Sequence, residues 1–381
     1  MRFSFNCENS YADPGLFATP LPFPIAQKHY NPKVGHKSFN DHLEMVRFAD
    51  ETFDWVSVSE HHAWPVLQAP NAAVLLGAYT QAVKKAKLAW LGPLVSMTNP
   101  IRIAEEVAML DQMTDGRLVC LFLRGTPNEF VVYGVKAEET RDRTQEAIHL
   151  IQRSLTEPHP FSWQGRYFKY RTVSVWPGLT QKPMVPIYSS GNSLESATFA
   201  AENGHGLAIS FFAAHMVEKL VSFYKEECAR CGWEPTPEQI LYRAFAALGE
   251  DDDEAHDREA RFYGGTHGLF QTFSGRGRHM VNALKVPEPP QRPDSNKKDT
   301  GVAGFALGGL AFKGAADTVI QQVRAFAEFT GVGHFDLAFN GGGLTSEESF
   351  DCLRRFGEDV IPQLRDADAS AVERETASAV V

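Results

Sequence analysis

The sequence predicts a (β/α)8 TIM barrel, in which eight parallel strands alternate with helices and close into a ring. First, apolar strand-like segments alternate with helix-like segments along most of the 381 residues. Second, segments such as Leu118–Leu123 are continuously apolar, as in strands that are buried on both faces. Third, no Gly-x-Gly-x-x-Gly motif follows the first strand. This absence disfavours the alternative, a doubly wound open sheet that binds a dinucleotide.

The predicted elements follow from local patterns. Alternating or continuous apolar runs predict the strands, over 2–6, 54–59, 87–96, 118–123, 186–190, 206–211, 241–248 and 334–340. Apolar residues at helical spacing predict the helices, over 39–52, 71–85, 100–113, 139–155, 216–231, 251–262, 317–330 and 346–364, and a further helix that begins at the Ser190–Ser193 turn and runs to Glu202. Aromatic and polar residues alternate around Gly165, which predicts a hairpin over 161–175 outside the barrel.

Composition bounds the class of protein. The chain is 43% hydrophobic, enough for a large core, and barrels of this length commonly form one domain. We predict a single domain over 1–365 and a disordered tail over 366–381. A proline-rich segment over 264–300, after strand seven, is predicted to be a mobile insertion.

Charge and hydropathy predict the compartment and exclude some partners. The net charge is −10, and no basic run exceeds two residues, so we expect no nucleic-acid partner. No signal-peptide pattern and no membrane-length apolar run is present, so we expect a cytoplasmic protein with no membrane partner. Five scattered cysteines suggest reduced thiols. Cys228 and Cys231 are one helical turn apart, without a second pair at zinc spacing, which favours helix residues over a metal site.

Polar residues follow several predicted strands. In an α/β barrel the carboxyl ends of the strands carry the functional groups. The candidates are Glu60-His61-His62 after strand two, Arg124 after strand four, Ser190-Gly191-Asn192-Ser193 after strand five, and Asn340 after strand eight.

The segment after strand five is a candidate anion site. A helix begins there, and its free N–H groups, with the hydroxyls of Ser193 and Ser196, attract negative charge. The alternative is an ordinary N-cap that binds nothing. Arg124 favours the anion site, because a guanidinium at the end of an apolar strand is costly without an anion.

The candidate catalytic residues are His61, Glu60 and His62. Adjacent histidines on a strand point to opposite faces and chelate a metal poorly, so we expect no metal site. One histidine facing the pocket suits a general base, with the other supporting it through Glu60. The alternative is a pair of structural histidines with satisfied hydrogen bonds.

Longer motifs carry a resemblance. Glu60-His61-His62, joined to Leu-Asp-Gln-Met-Thr-Asp-Gly-Arg over 110–117 and to Arg124-Gly125, resembles the bacterial luciferase-like flavin-dependent monooxygenases. The resemblance covers nearly the whole chain. It implies a (β/α)8 barrel, reduced FMN delivered by a separate flavin reductase, and O2 as co-substrate. It also implies a dimer, here a homodimer, and a mobile lid formed by the insertion over 264–300.

The resemblance also implies roles for single residues. His61 would lie beside the flavin ring as a base or proton donor, and Arg124 and Arg141 would bind the phosphate. The remaining implied cofactor-binding residues lie at the phosphate or near the ribityl chain: Ser190, Asn192, Ser193 and Ser196.

The resulting hypothesis is a two-component FMN-dependent monooxygenase that oxygenates a small apolar organic substrate, in a pocket that includes Phe17 and Trp64. Two alternatives stay open. One is a deazaflavin-dependent hydride-transfer oxidoreductase of the same superfamily, which would not use O2. The other is a non-catalytic flavin-binding partner subunit. The negative net charge and the pair Arg124 and Arg141 favour FMN over deazaflavin, and retention of His61 argues against the non-catalytic subunit.

Overall fold

The structure is a computed structural model that describes residues 1–17, 24–63, 67–262, 311–341 and 343–365. Within these ranges, eight strands form a closed parallel ring, so the predicted TIM barrel is confirmed. In their order around the ring, the strands are β1 (Arg2–Asn6), β2 (Trp55–Val58), β3 (Lys87–Leu94), β4 (Leu118–Leu123), β7 (Ile187–Ser190), β8 (Gly206–Ser210), β9 (Ile240–Leu248) and β11 (His334–Ala338).

Three further strands lie outside this ring. The antiparallel hairpin of β5 (Phe161–Gln164) and β6 (Lys169–Val173) confirms the predicted external hairpin. The short strand β10 (Ala311–Gly314) was not predicted. It pairs with the second half of β9, whereas the first half of β9 pairs with β8.

Helices cover the outside of the barrel. They are α1 (Pro14–Phe17), α2 (Pro32–Thr52), α3 (Ala72–Tyr79), α4 (Pro100–Met113), α5 (Pro127–Tyr133), α6 (Thr140–Thr156), α7 (Leu194–Glu202), α8 (Ala214–Arg230), α9 (Asp252–Phe262), α10 (Ala316–Thr330) and α11 (Ser346–Arg355). A π-helical turn over Phe356–Val360 extends α11. Most bounds lie within about two residues of the prediction, and two helix bounds differ by more. Helix α2 begins at Pro32, where Asn31 caps it, and α3 ends at Tyr79 rather than near residue 85.

Two apolar cores hold the barrel together. The larger lies between strands and helices and includes a phenylalanine cluster, in which the rings of Phe3 and Phe335 are 5.9 Å apart. The smaller fills the interior of the ring. Its buried members are Trp55, Ala89, Leu91, Val119, Leu121, Tyr188, Ala208 and Leu241. Toward the carboxyl ends of the strands this interior becomes polar, and the candidate site lies there.

The predictions for the cysteines fall on described residues, whereas those for the lid and the tail do not. All five cysteines are free thiols; Cys228 is buried in α8 and Cys231 is exposed just after it. No helix in the described ranges is long and apolar enough to cross a membrane. The predicted lid over 264–300 and the tail over 366–381 lie outside the described residues. The single-domain boundaries stay predictions.

Candidate active site

The candidate site gathers loops that follow β1, β2 and β4 at the carboxyl end of the barrel. Glu8 follows β1, the Glu60–His62 segment follows β2, and Glu129 lies on α5 after β4. Gly92 of β3 makes this approach possible. A Cβ atom at Gly92 would lie 2.8 Å from the backbone nitrogen of Glu60, so any larger residue would displace the segment that carries the histidines.

His61 lies between two carboxylates. Its Nδ1 is 3.4 Å from Glu129 Oε1, and its Nε2 is 3.8 Å from Glu8 Oε1. Burial acts to lower the pKa of His61, but the two carboxylates outweigh it and raise that pKa from 6.5 to about 10. His61 is therefore an imidazolium near neutral pH. Both contacts are longer than ideal hydrogen bonds, but hydrogen bonding to Glu129 and Glu8 contributes most to the raised pKa of His61, and their negative charges add to it.

Glu129 is fixed by the helix on which it lies. One of its oxygens, Oε2, accepts hydrogen bonds of 2.6 Å from both the backbone N–H and the hydroxyl of Thr126, in a capping box that starts α5. The other oxygen faces His61. Gly125 turns the chain just before this cap with φ of +89°, a conformation that favours glycine. The turn from Arg124 to Glu129 therefore connects the predicted anion site with the surroundings of His61.

Glu8 also contacts a network of charged residues inside the barrel. Arg243 Nε is 2.7 Å from Asp336 Oδ2, and Arg243 Nη1 is 3.4 Å from Glu8 Oε1. Ser59 donates a short hydrogen bond to Glu8 and lies 3.0 Å from Arg243 Nη1. Ser57 donates a 2.6 Å hydrogen bond to Asp336. Glu8 therefore lies between two cations, Arg243 and His61. Burial opposes ionisation of Glu8, but these partners lower its pKa to about 2.

His62 belongs to a separate hydrogen-bonded chain. Its Nε2 is 3.0 Å from Glu60 Oε1, and its Nδ1 is 2.9 Å from the hydroxyl of Tyr133. Because a carboxylate only accepts, Nε2–H donates to Glu60 and Nδ1 accepts from Tyr133. Support of His61 through Glu60 was predicted, but Glu60 binds His62, and the carboxylates that face His61 are Glu8 and Glu129.

Two asparagines beside the His61 carboxylates have unsatisfied amides. Asn9 follows Glu8, and Asn128 precedes Glu129; both are buried. Neither side-chain amide has a hydrogen-bond partner within the part of the chain that the structure describes. A buried polar group without a partner costs about 1–3 kcal/mol. A polar ligand or a water molecule bound there would satisfy both amides.

The predicted anion site lies at the start of α7. Arg124 is exposed, and within the described ranges its guanidinium has no hydrogen-bonding or ionic partner. Although the Arg124 side chain reaches solvent, surrounding protein removes part of its hydration; this effect, followed by the positive charge of nearby Arg141, lowers the pKa of Arg124. Arg141 Nη1 is 2.9 Å from Glu195 Oε1, in the first turn of α7. The structure therefore brings the two predicted arginines together and adds a carboxylate that was not predicted.

The polar residues at this helix start bind one another. Ser193 is the N-cap: its hydroxyl accepts from the backbone N–H of Ser196 at 3.3 Å, and the Ser196 hydroxyl accepts from the Ser193 N–H at 3.2 Å. Asn192 Oδ1 accepts from the backbone N–H of Ser210 at 3.0 Å, which ties the turn to β8. Ser190 ends β7 and is partly exposed. The Asn192 side-chain NH2 group has no hydrogen-bond acceptor among the described residues.

The two predicted pocket residues have different outcomes. Phe17 is buried in a small apolar cluster with Tyr11. Trp64 lies outside the described residues. An open groove of about 580 Å³ lies elsewhere, between α6 and α7, and its lining includes His149, Phe199 and Glu195. It contains none of the residues around His61.

The protonation of His61 gives a direct test of this geometry. We expect its ring to stay doubly protonated up to pH 8, because Glu8 and Glu129 stabilise the charge. Ring-15N-labelled histidine, observed by NMR from pH 5 to 10, checks this. The stabilisation is fully present below the ordinary pKa of 6.5 and is lost as the pH rises through about 10. His61→Gln assigns the signal. Titration of that signal near pH 6.5 would contradict the arrangement of the two carboxylates.

Comparison with known proteins establishes the family. The family model described as luciferase-like monooxygenase matches residues 17–333. This chain belongs to the luciferase-like monooxygenase family. The predicted family is therefore confirmed, together with the enzyme class of flavin-dependent monooxygenase. The oxygenase component of the flavin-dependent trigonelline monooxygenase of Acinetobacter baylyi is 23% identical over 339 residues, which cover 85% of this chain and 89% of the relative.

Solved structures with the same fold bind different flavins. The oxygenating constituent of 3,6-diketocamphane monooxygenase from Pseudomonas putida, in complex with FMN, has a TM-score of 0.70 and 17% identity, covering 96% of this chain and 98% of its own. An F420-dependent secondary alcohol dehydrogenase has a TM-score of 0.67 and 19% identity, covering 95% and 98%. These likenesses support the barrel fold of this family member and leave its cofactor to be argued from its own residues.

Proposed function

We propose that this chain is the oxygenase component of a two-component monooxygenase. It receives reduced FMN from a separate flavin reductase and uses O2 to oxygenate a small apolar organic substrate. The observation that carries the proposal is the pair of guanidinium groups, Arg124 and Arg141, at the start of α7. Two neighbouring cations, one without a partner in the described ranges, attract an anion, and a helix N-terminus favours a phosphate.

The residues present fit the phosphate of FMN. Arg124 and Arg141 supply charge-assisted donors, while Ser193 and Ser196 supply hydroxyls and the first N–H groups of α7. The Asn192 amide nitrogen is a further donor, because its oxygen is already used. Ser190, at the tip of β7, is proposed to lie near the ribityl chain or the ring. This phosphate-binding set distinguishes FMN from riboflavin, which lacks the phosphate.

The residues around His61 supply a proton. When bound, reduced FMN supplies the two electrons with which O2 yields one oxygen atom for the substrate and one for water. Formation of that water consumes protons, and His61 holds one on its imidazolium ring at neutral pH. Glu8 and Glu129 keep the ring charged, and we assign His61 as a proton donor rather than a base. Glu60 and His62 hold the segment that presents His61.

Other features of the proposal come from composition and from the family. The apolar substrate class rests on the buried Phe17 cluster and on Trp64 of the sequence. The reductase partner is supported by the name of the trigonelline enzyme, which is an oxygenase component. A homodimer and a cytoplasmic location are proposed from the family resemblance and from the reduced cysteines.

The phosphate site is tested by removing one charge. Arg124→Gln is expected to weaken binding of reduced FMN about 10- to 100-fold, the effect of losing a charge-assisted hydrogen bond of about 1.5–3 kcal/mol. Binding of riboflavin should stay unchanged. Anaerobic titration monitored by absorbance gives both constants. The matched control is Arg102→Gln, an exposed arginine on α4 that pairs only with Glu106 within the described residues. If Arg124→Gln and the wild type bound FMN with equal affinity, the proposed phosphate site would be wrong.

The same titration separates the alternatives. Binding of reduced FMN, followed by faster O2 consumption when a screened substrate is added, supports the monooxygenase. Binding of reduced deazaflavin but not of reduced FMN would replace oxygen chemistry by hydride transfer. Binding of reduced FMN with no product from any screened compound would favour the non-catalytic partner subunit. Oxygenated product is detected by mass spectrometry with 18O2, which marks one incorporated oxygen atom.

A further inference from the structure

The start of α7 already holds an anion. Glu195 is the second residue of that helix, and its Oε1 is 2.9 Å from Arg141 Nη1. Both side chains are about half exposed, with exposed fractions of 49% for Arg141 and 62% for Glu195. The negative charge of Glu195 also reaches Arg124, where it partly offsets the effect of Arg141 on the Arg124 pKa. The three charges therefore form one cluster.

We propose that the ion pair of Glu195 with Arg141 is present in the free protein and that Glu195 competes with the phosphate of FMN for Arg141. Glu195 thereby lowers the affinity for FMN and speeds its release. This inference rests on the proposed function, since it assigns Arg124 and Arg141 to the phosphate. Glu195 is a specificity-determining residue rather than a catalytic one, because it acts on binding of the phosphate and lies away from the reacting atoms.

Charge balance supports competition. A phosphate monoester carries about −1.5 to −2 charges at neutral pH. Arg124 and Arg141 offer two positive charges, and Glu195 reduces their sum to one. The partial positive charge of the helix N-terminus attracts a carboxylate and a phosphate to the same place. The two anions therefore cannot both be favourably bound unless Glu195 moves away from Arg141.

The other polar groups at the start of α7 also have hydrogen-bond partners within the protein. Ser193 and Ser196 each accept a hydrogen bond from the backbone N–H of the other. Arg141 is satisfied by Glu195, and Arg124 alone of the cluster lacks a partner within the described residues. An approaching phosphate would first meet Arg124 and would then displace the internal partners. Each displacement reduces the net gain from binding.

A moderate affinity suits the proposed cycle. An oxygenase that receives reduced FMN from another protein must bind the cofactor and release the oxidised form at each turnover. Because the phosphate is the same in both forms, Glu195 affects binding of both equally. A carboxylate that returns to Arg141 as FMN leaves would accelerate release, which limits turnover in many enzymes.

Glu195→Gln tests the inference. The change keeps the size of the side chain and removes its charge. We expect oxidised and reduced FMN to bind about three- to tenfold more tightly, as expected for the loss of a charge repulsion between partly solvated groups. The gain should shrink as KCl is raised, because salt screens exposed charges. Riboflavin should bind as in wild type. Fluorescence titration of oxidised FMN gives the dissociation constants, and stopped-flow dilution gives a slower release.

Matched variants make each outcome decisive. Glu202→Gln removes a carboxylate from the last turn of the same helix, where it pairs with Arg230, and should leave FMN binding unchanged. Unchanged or weaker FMN binding by Glu195→Gln, with weaker binding by Arg124→Gln, would overturn the competition and keep the phosphate site. If Arg124→Gln also bound FMN normally, the phosphate site itself, and with it the proposed function, would fail.

Discussion

Changing His61 to Gln is expected to lower the yield of oxygenated product about 10²- to 10⁴-fold, the usual range for loss of a positioned proton donor. Gln has nearly the same reach and can contact both Glu8 and Glu129, but it carries no transferable proton. FMN binding should weaken less than in Arg124→Gln, because the residues proposed to bind the phosphate are unchanged. Product formation with a substrate identified by screening, together with an anaerobic FMN titration, checks both parts.

The fate of oxygen gives a second readout of the same variant. Without the proton donor, electrons from reduced FMN should still reach O2 but end in hydrogen peroxide rather than in product and water. Peroxide release per FMN oxidised should therefore rise in His61→Gln. His36→Gln is the control, since His36 lies on the exposed side of α2 and contacts Asn40. Wild-type product yield and unchanged peroxide release in His61→Gln would exclude His61 from the chemistry.

Local signals explain what the sequence could predict. Strands Arg2–Asn6 and Leu118–Leu123 and helix Pro100–Met113 have the predicted bounds, because apolar pattern and an N-terminal proline mark them within a few residues. The motif that contains His61 and the residue Arg124 also lie just beyond strand ends, whereas Arg141 lies in the first turn of α6. Strand order in a barrel then brings them to one end without any knowledge of distant contacts.

The partners of His61 could not be predicted in the same way. Glu8 and Arg243 are 235 residues apart, and no local pattern links them. Arg243 and Asp336 are opposite each other on paired strands β9 and β11, which only the closed ring reveals. Helix α5 was missed because it has seven residues, too few for a periodic apolar pattern. Thr126, Pro127 and Glu129 did carry a readable signal, a capping box with proline at the first helical position.

A buried pair of charges gives the largest expected effect on stability. Arg243→Met is expected to lower the free energy of unfolding by about 3–5 kcal/mol, the cost of leaving a buried charge without its partner. Asp336, with no exposed surface, would keep only the hydroxyl of Ser57 as a donor among the residues that the structure describes. Urea denaturation measures the change. Arg102→Met, which breaks an exposed ion pair on α4, should alter stability by less than about 1 kcal/mol.

The double variant and the pH dependence separate charge from packing. Asn at position 336 is neutral and still accepts from Ser57, so Arg243→Met with Asp336→Asn should recover most of the lost stability. Burial raises the pKa of Asp336, and removal of Arg243 raises it further. A carboxyl whose folded pKa is raised regains stability as the pH falls, so Arg243→Met should be less destabilised at pH 5 than at pH 8. Equal destabilisation at both pH values, with no recovery in the double variant, would mean that Arg243 acts by filling space. In that case the charge of Arg243 would not control the ionisation of Glu8, and the charge on His61 would not depend on Arg243.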